Sequence, residues 1–228
     1  MNEIARVMAE VDTFGTLHVD RLSKVTDELS EFTQDADVLF VEGPRDPPDN
    51  SDELGMLLRN PALYLTGTIL DWFWGILGFI FTRHFKPVDM VATETVAQKK
   101  EIDIEPVDLN LPRRTSEVGL AVTAFSWLWF IIAVGIFMLG VLASTIEILV
   151  LATAVGFLPI VPFAYWTLSE RDEVMAENIE EILAANDEFN RGCFVAGRRH
   201  MAGVVEQLEE SDVEVSKVHK SKWLRRSL

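Results

Sequence analysis

Gly15-Thr16-Leu17-His18 and Gly197-Arg198-Arg199-His200 each set a glycine three residues ahead of a histidine, at points far apart in the chain. A single Gly-x-x-His arises by chance in many proteins. Position is what gives these two meaning. Each follows a run that reads as a β-strand, and open α/β sheets bind ligands at the carboxyl ends of their strands. Glu42 closes a third such run, just before the Gly43-Pro44 break. His18, His200 and Glu42 at one sheet edge would make an acceptable first shell for a divalent metal with open positions. Such an ion would lower the pKa of its water and polarise a carbonyl. Glu42 would be a third ligand or the general base. Arg45 or Arg171 would hold a substrate carboxylate or steady an oxyanion. Arg171 could equally cap carbonyls or meet lipid headgroups. The donor set does not choose among manganese, cobalt and zinc.

The remaining candidates carry less. His84 falls in an apolar stretch and His219 in a basic tail, and both read as incidental. The one cysteine, Cys193, sits in the apolar run Cys193-Phe194-Val195-Ala196, so it reads as a core thiol and excludes an intramolecular disulfide. Arg113 and Asp108 also lie near expected element ends.

The elements that must position these residues follow from periodicity. Val11–Leu17 predicts a strand, and Asp20 would cap a helix running to about Gln34 with Leu22, Val25, Leu29 and Phe32 on one face. Asp37–Glu42, with its continuous run Val38-Leu39-Phe40-Val41, predicts a strand buried on both faces of a parallel sheet. Prolines at 44, 47 and 48 make Gly43–Asp52 a loop. A helix over Val88–Lys100 and a strand over Ile102–Asp108 come next. After 168, Ser169 and Asp172 suggest a capping box for a helix to about Asn186, with Val174, Met175, Ile179, Ile182 and Leu183 as its apolar face. A strand at Gly192–Gly197, a helix at Met201–Glu210 and a strand at Val213–Val218 finish the pattern. We expect an α/β fold, a mostly parallel sheet flanked by helices, built from 1–117 and 169–228.

Between those parts, 118–168 holds one charged side chain, Glu147. A membrane-spanning helix needs ~20 apolar residues, so this block predicts a transmembrane helical hairpin, Val118 to about Val141 and Ala143 to about Leu168. Phe125, Trp127, Leu128, Trp129, Phe130 and Ile131 leave no polar face for a soluble helix. Lys99, Lys100, Arg113, Arg114 and Arg171 flank the block and its turn has none, which places both flanks in the cytoplasm. The apolar stretch 61–85 carries Thr68, Asp71, Gly75, Gly78 and Thr82 on one stripe. A third crossing would split the α/β domain across the bilayer, so this helix is expected to be packed or interfacial.

Of 228 residues, 36 are Asp or Glu and 20 Lys or Arg, net −16, which disfavours nucleic acid as a partner. Such acidity would suit a salt-rich, halophile-like cytoplasm. The start, Met1-Asn2-Glu3-Ile4-Ala5-Arg6, shows no secretory signal pattern. Lys222, Trp223, Leu224, Arg225 and Arg226 could rest on an anionic surface or simply fray.

In order, Gly15-Thr16-Leu17-His18-Val19, Val41-Glu42-Gly43-Pro44-Arg45, Glu170-Arg171-Asp172 and Gly197-Arg198-Arg199-His200-Met201-Ala202-Gly203 resemble the TraB family of pheromone-shutdown proteins and their relatives, the Tiki membrane proteases. The resemblance covers most of the chain outside 118–168. It implies a metal-dependent protease with the metal-binding and catalytic roles on His18, His200 and Glu42. Asp108 and Arg113 loosely fit a further Asp and Arg segment. Two features depart from the pattern: the hydrophobic hairpin replaces an amphipathic region, and Tiki proteins act outside the cell. The leading expectation is a membrane-anchored, metal-dependent hydrolase of peptide bonds, with the lipid bilayer and a peptide or protein substrate as partners. Its rival is a non-enzymatic membrane protein that binds a peptide or partner, with Gly75 and Gly78 available to pack helices or an oligomer. A transporter is a weak third, since two spans with one acid make a poor pathway.

Overall fold

The computed structural model describes residues 9–17, 20–83, 85–116, 118–158, 160–211 and 213–220. Five strands, β1 (Glu10–Thr16), β2 (Val38–Pro44), β3 (Asp103–Asp108), β4 (Arg191–Gly197) and β5 (Glu214–Lys220), form one parallel sheet in the order β3-β2-β4-β1-β5. Side chains alternate across it. Phe14, Leu39, Cys193 and Val195 join Val25 and Leu29 of α1 (Leu22–Phe32) and Ala92 and Val96 of α4 (Val88–Lys100). On the other face Val38, Phe40, Phe194 and Ala196 meet Met175 and Ile179 of α8 (Ile160–Ala185) and Val204 and Leu208 of α9 (Met201–Glu209). Two apolar faces are why these strands read as unbroken hydrophobic runs. Gly192 has a local reason as well, because a Cβ there would run into the Phe40 ring.

Two compact units result. One comprises Met1–Arg45, Trp74–Leu109 and Ser169–Leu228 and contains the sheet. The other comprises Asp46–Phe73 and Asn110–Leu168. In it lie α2 (Asn50–Arg59), α5 (Leu111–Ser116), α6 (Leu120–Ala143) and α7 (Ile146–Phe157), while α3 (Pro61–Thr82) and α8 begin there and end in the sheet-bearing unit.

Several expectations need correction. The stretch 43–52 is not all loop, because β2 runs on to Pro44 and Asp49 opens α2 with a full capping box to Asp52. Asp20 does not cap α1; its carboxylate accepts from Leu17 N at 3.3 Å, tying the turn before the helix, and Arg21 at the cap position offers no side-chain bond. Ser169 starts nothing, since α8 passes straight through it.

The apolar block departs most. α6 is long and apolar enough to cross a bilayer, the one such helix among the described residues, and 11 % of its most apolar 18-residue stretch is buried. The second leg expected at Ala143–Leu168 is not a single helix. It stops after Phe157, and α8 begins at Ile160. The sequence places a proline at 159, and proline has no N–H to continue a helical ladder. α7 alone is roughly 18 Å long at 1.5 Å per residue, short of the ~30 Å hydrocarbon layer. The turn falls where expected. Ser144 takes a left-handed conformation (φ 53°), Thr145 N donates to Gly140 O at 3.1 Å, and the Trp129 indole donates to Val155 O at 2.8 Å, closing α6 and α7 as an antiparallel pair.

Candidate functional site

Register brings the two glycine-led motifs together. β1 and β4 are neighbours, with Gly15 opposite Ala196 and Thr16 opposite Gly197, and Arg198 N donates to Thr16 O at 2.9 Å just past the paired strands. Both motifs therefore leave the carboxyl edge of the sheet side by side. His18 itself lies outside the described residues, as do His84 and the basic tail at 221–228.

His200 closes the turn after β4, its backbone N–H bonded to Gly197 O at 3.1 Å, and stands at the start of α9. The ring is buried between two carboxylates. Its Nδ1 lies 2.6 Å from Asp172 Oδ1, and its Nε2 lies 3.3 Å from Glu42 Oε1. Glu42 lies two residues before the end of β2 and is held twice more, by Arg171 Nη2 on Oε1 at 2.8 Å and by Gly197 N on Oε2 at 3.2 Å. Arg171 also reaches Asp108 at the end of β3, with Nε 3.0 Å from Oδ1 and Nη2 on Oδ2. Three strand ends and one helix thus meet in a single cluster of Glu42, Asp108, Asp172, Arg171 and His200. A Cβ at Gly203 would run into the Asp172 carboxylate, so the last glycine of Gly-x-x-His-x-x-Gly leaves room for that residue.

The charges reinforce one another. Burial opposes ionisation of Glu42, but the His200 hydrogen bond and charge, then Arg171 and the Gly197 N–H, outweigh it and hold the carboxyl well below the usual carboxylate range. Burial also works against the His200 cation, yet the hydrogen bonds its ring donates to Asp172 and Glu42, and the Glu42 charge, push it up to about 9. Burial likewise opposes the Arg171 charge, and its bond to Asp108 and the charges of Asp108 and Glu42 more than offset this.

No protein-family model matches this chain, no curated protein is significantly similar to it, and no solved structure matches it.

Of the residues singled out from sequence, Glu42, Arg171 and His200 are brought together, and Asp108 joins them. Arg45 is not. Its guanidinium turns along α8 to Asn178 Oδ1 and Glu181 Oε2, both at 2.6 Å, so Glu181 is half of an exposed ion pair. Arg113 belongs to the other unit. His219 is no tail residue: it lies within β5 and stacks on Phe14 with ring centroids 4.9 Å apart. Asp172 was read as a capping residue, and its role toward His200 was missed. The signal was adjacency, since in a helix Arg171 and Asp172 project about 100° apart and can serve two different partners.

A divalent ion is tested by the chemistry of this donor set. His200 has its Nδ1 fixed by a carboxylate, leaving Nε2 turned toward Glu42, the arrangement that orients ligating histidines. These two donors fit. Among the described residues no group of three or more His, Cys, Asp or Glu is arranged to hold a metal, and the third expected donor is His18.

Proposed function

We propose that the chain is a membrane-anchored α/β protein of the TraB and Tiki type, acting as a metal-dependent hydrolase on peptide bonds. The observation that supports this most is the Glu42 to His200 contact at a sheet edge where both glycine-led motifs emerge. His18, His200 and Glu42 would hold a manganese, cobalt or zinc ion, which when bound supplies a water of lowered pKa and a polarised carbonyl. Asp172, by accepting Nδ1–H, would leave Nε2 as the ligating nitrogen once an ion displaces its proton. Arg171, anchored by Asp108, sets the Glu42 carboxylate and offers positive charge where a substrate carboxylate or oxyanion would lie.

Membrane anchorage has its own support. β3 and β4 belong to one sheet, so a chain that leaves through α6 must return to the same side before β4. α7 and the apolar start of α8 are the chain available for the return. By the same rule a lone crossing by α3, between β2 and β3, would break the sheet. The positive flanks then favour a cytoplasmic α/β domain.

One feature favours the non-enzymatic reading: Glu42 Oε1 is already shared by Arg171 and His200, as in a closed structural network. Metal analysis separates the two. Purified wild-type protein should retain a divalent ion, and His18→Ala and His200→Ala should each lose it while keeping the wild-type circular dichroism. Equal metal content in all three would refute the site. Protein without metal that still retains a peptide would favour recognition.

A further inference from the structure

α2 has two unlike faces. On a helical wheel Gly55, Met56 and Asp52 point one way, and Leu54, Leu57 and Leu58 point the other. The first set is engaged: Gly55 faces Ser116 of α5 with room for little more than hydrogen, Met56 is buried, and Asp52 accepts from Asn110 Nδ2 at 2.9 Å. The leucines are open to solvent, 54 %, 38 % and 58 % exposed. Three exposed leucines on one side of a ten-residue helix make an apolar face.

The attachment of α2 points to its occupant. Its last turn is fastened to α6, where the Trp127 indole donates to Leu58 O at 2.9 Å. One residue earlier on α6, the buried Ser126 hydroxyl accepts from Ala62 N at 3.3 Å, and Asn60 Nδ2 donates to Thr115 O. These bonds fix the α2–α3 corner at the level of Ser126 and Trp127, near the amino-terminal end of α6. Phe125, Trp127, Trp129 and Phe130 cluster at that level, and tryptophan concentrates at membrane–water boundaries.

We propose that α2 lies in the plane of the bilayer surface with Leu54, Leu57 and Leu58 in the headgroup–acyl boundary, on the side where α6 enters. This rests on the reading of α6 as a membrane anchor. Interfacial helices bind through buried apolar area plus whatever charge attraction exists. Asp49, Asp52 and Glu53 at the start of α2, against Arg59 at its end, make the attraction apolar, so a zwitterionic surface is the occupant.

The test uses single-cysteine variants of the full chain in a Cys193→Ala background, reconstituted in phosphatidylcholine vesicles and carrying an environment-sensitive fluorophore. Leu54→Cys and Leu58→Cys should be blue-shifted and quenched several-fold more by brominated acyl chains than the water-facing reference Glu31→Cys. Ile131→Cys on α6 should be quenched most strongly by deep bromines. If Ile131 is deep while positions 54 and 58 match Glu31, this inference fails and the anchor stands. If Ile131 is also aqueous, the anchor fails too. Lipid-inaccessible labels at 54 and 58 that crosslink between chains would overturn it in favour of a second copy.

Discussion

Asp172 serves His200 by accepting Nδ1–H, and the consequence is measurable as pH dependence. An imidazole whose pKa rises from its ordinary 6.5 to about 9 on folding binds its proton more tightly in the folded state. Its stabilisation is complete below 6.5 and is lost as pH rises toward 9. Glu42 runs the opposite way: its pKa is lowered from 4.5, so its contribution is present above 4.5 and is lost as pH falls. In protein stripped of divalent ions, these two groups give greatest stability between about 4.5 and 6.5, with an alkaline decline assigned to His200. Asp172→Asn removes the leading contribution to the raised pKa. The alkaline decline in thermal melts should then begin at lower pH, and the His200 imidazole should titrate lower by NMR. An unmoved titration would mean that Asp172 does not hold the ring. Gly203 is the geometric counterpart. Gly203→Ala forces a methyl against the Asp172 carboxylate and should cost on the order of 2 kcal/mol by overpacking. Denaturant titration in an Asp172→Ala background should show most of that cost gone, and an undiminished cost would place the strain elsewhere.

At the scale of elements, what the chain made legible was whatever depends on local pattern. Val38-Leu39-Phe40-Val41 and Cys193-Phe194-Val195-Ala196 announced strands buried on both faces, and both lie inside the sheet. Val88–Lys100 was bounded as observed. What failed depended on partners or on one residue's veto. α2 hid behind three prolines because its cap, Asp49, follows them immediately. Ser169 looks like a start because the preceding apolar turns read as part of a different helix, whereas one helix carries the chain from an apolar to an acidic stretch of sequence. Of the site, the sequence offered Glu42, Arg171 and His200 as strand-end and motif residues. It could not show that Asp172 faces His200 or that Arg45 turns away, since both follow from the orientation of α8. The α6–α7 pair gives this scale its own prediction. At Gly140 a Cβ would sit 3.0 Å from the Leu149 backbone nitrogen and 2.9 Å from its Cδ2. Gly140→Val should therefore separate the helices and red-shift Trp129 emission as its bond to Val155 O weakens. Because backbone as well as side chain is in the way, Leu149→Ala should restore the emission only in part; full restoration would show that side-chain crowding alone fixes the approach.

For the whole molecule the governing constraint is that one sheet must be assembled from chain on both sides of an apolar excursion. β4 pairs with β2 and β1, so the strands before 110 and those after 169 lie on one side of any membrane whatever the intervening helices do. A membrane-length α6 followed by a single 12-residue α7 would strand the chain on the far side were it not for the helical start of α8. Glu147 fits that path. It lies in the first turn of α7, beside the Ser144–Thr145 turn, where a helix amino terminus favours a carboxylate and where, with α6 across a bilayer, the far headgroup layer would be within reach. The prediction concerns sidedness. In sealed vesicles carrying full-length chains with single cysteines in the Cys193→Ala background, a membrane-impermeant thiol reagent should treat Lys99→Cys and Glu177→Cys alike, both reactive or both protected. Ser144→Cys should show the reverse. Ser144 reacting with the same sidedness as the other two would mean that α6 lies along or outside the bilayer and does not cross it. Lys99 and Glu177 on opposite sides is the one pattern that the parallel β2–β4 pairing forbids, and its appearance would overturn the fold as well as the anchorage.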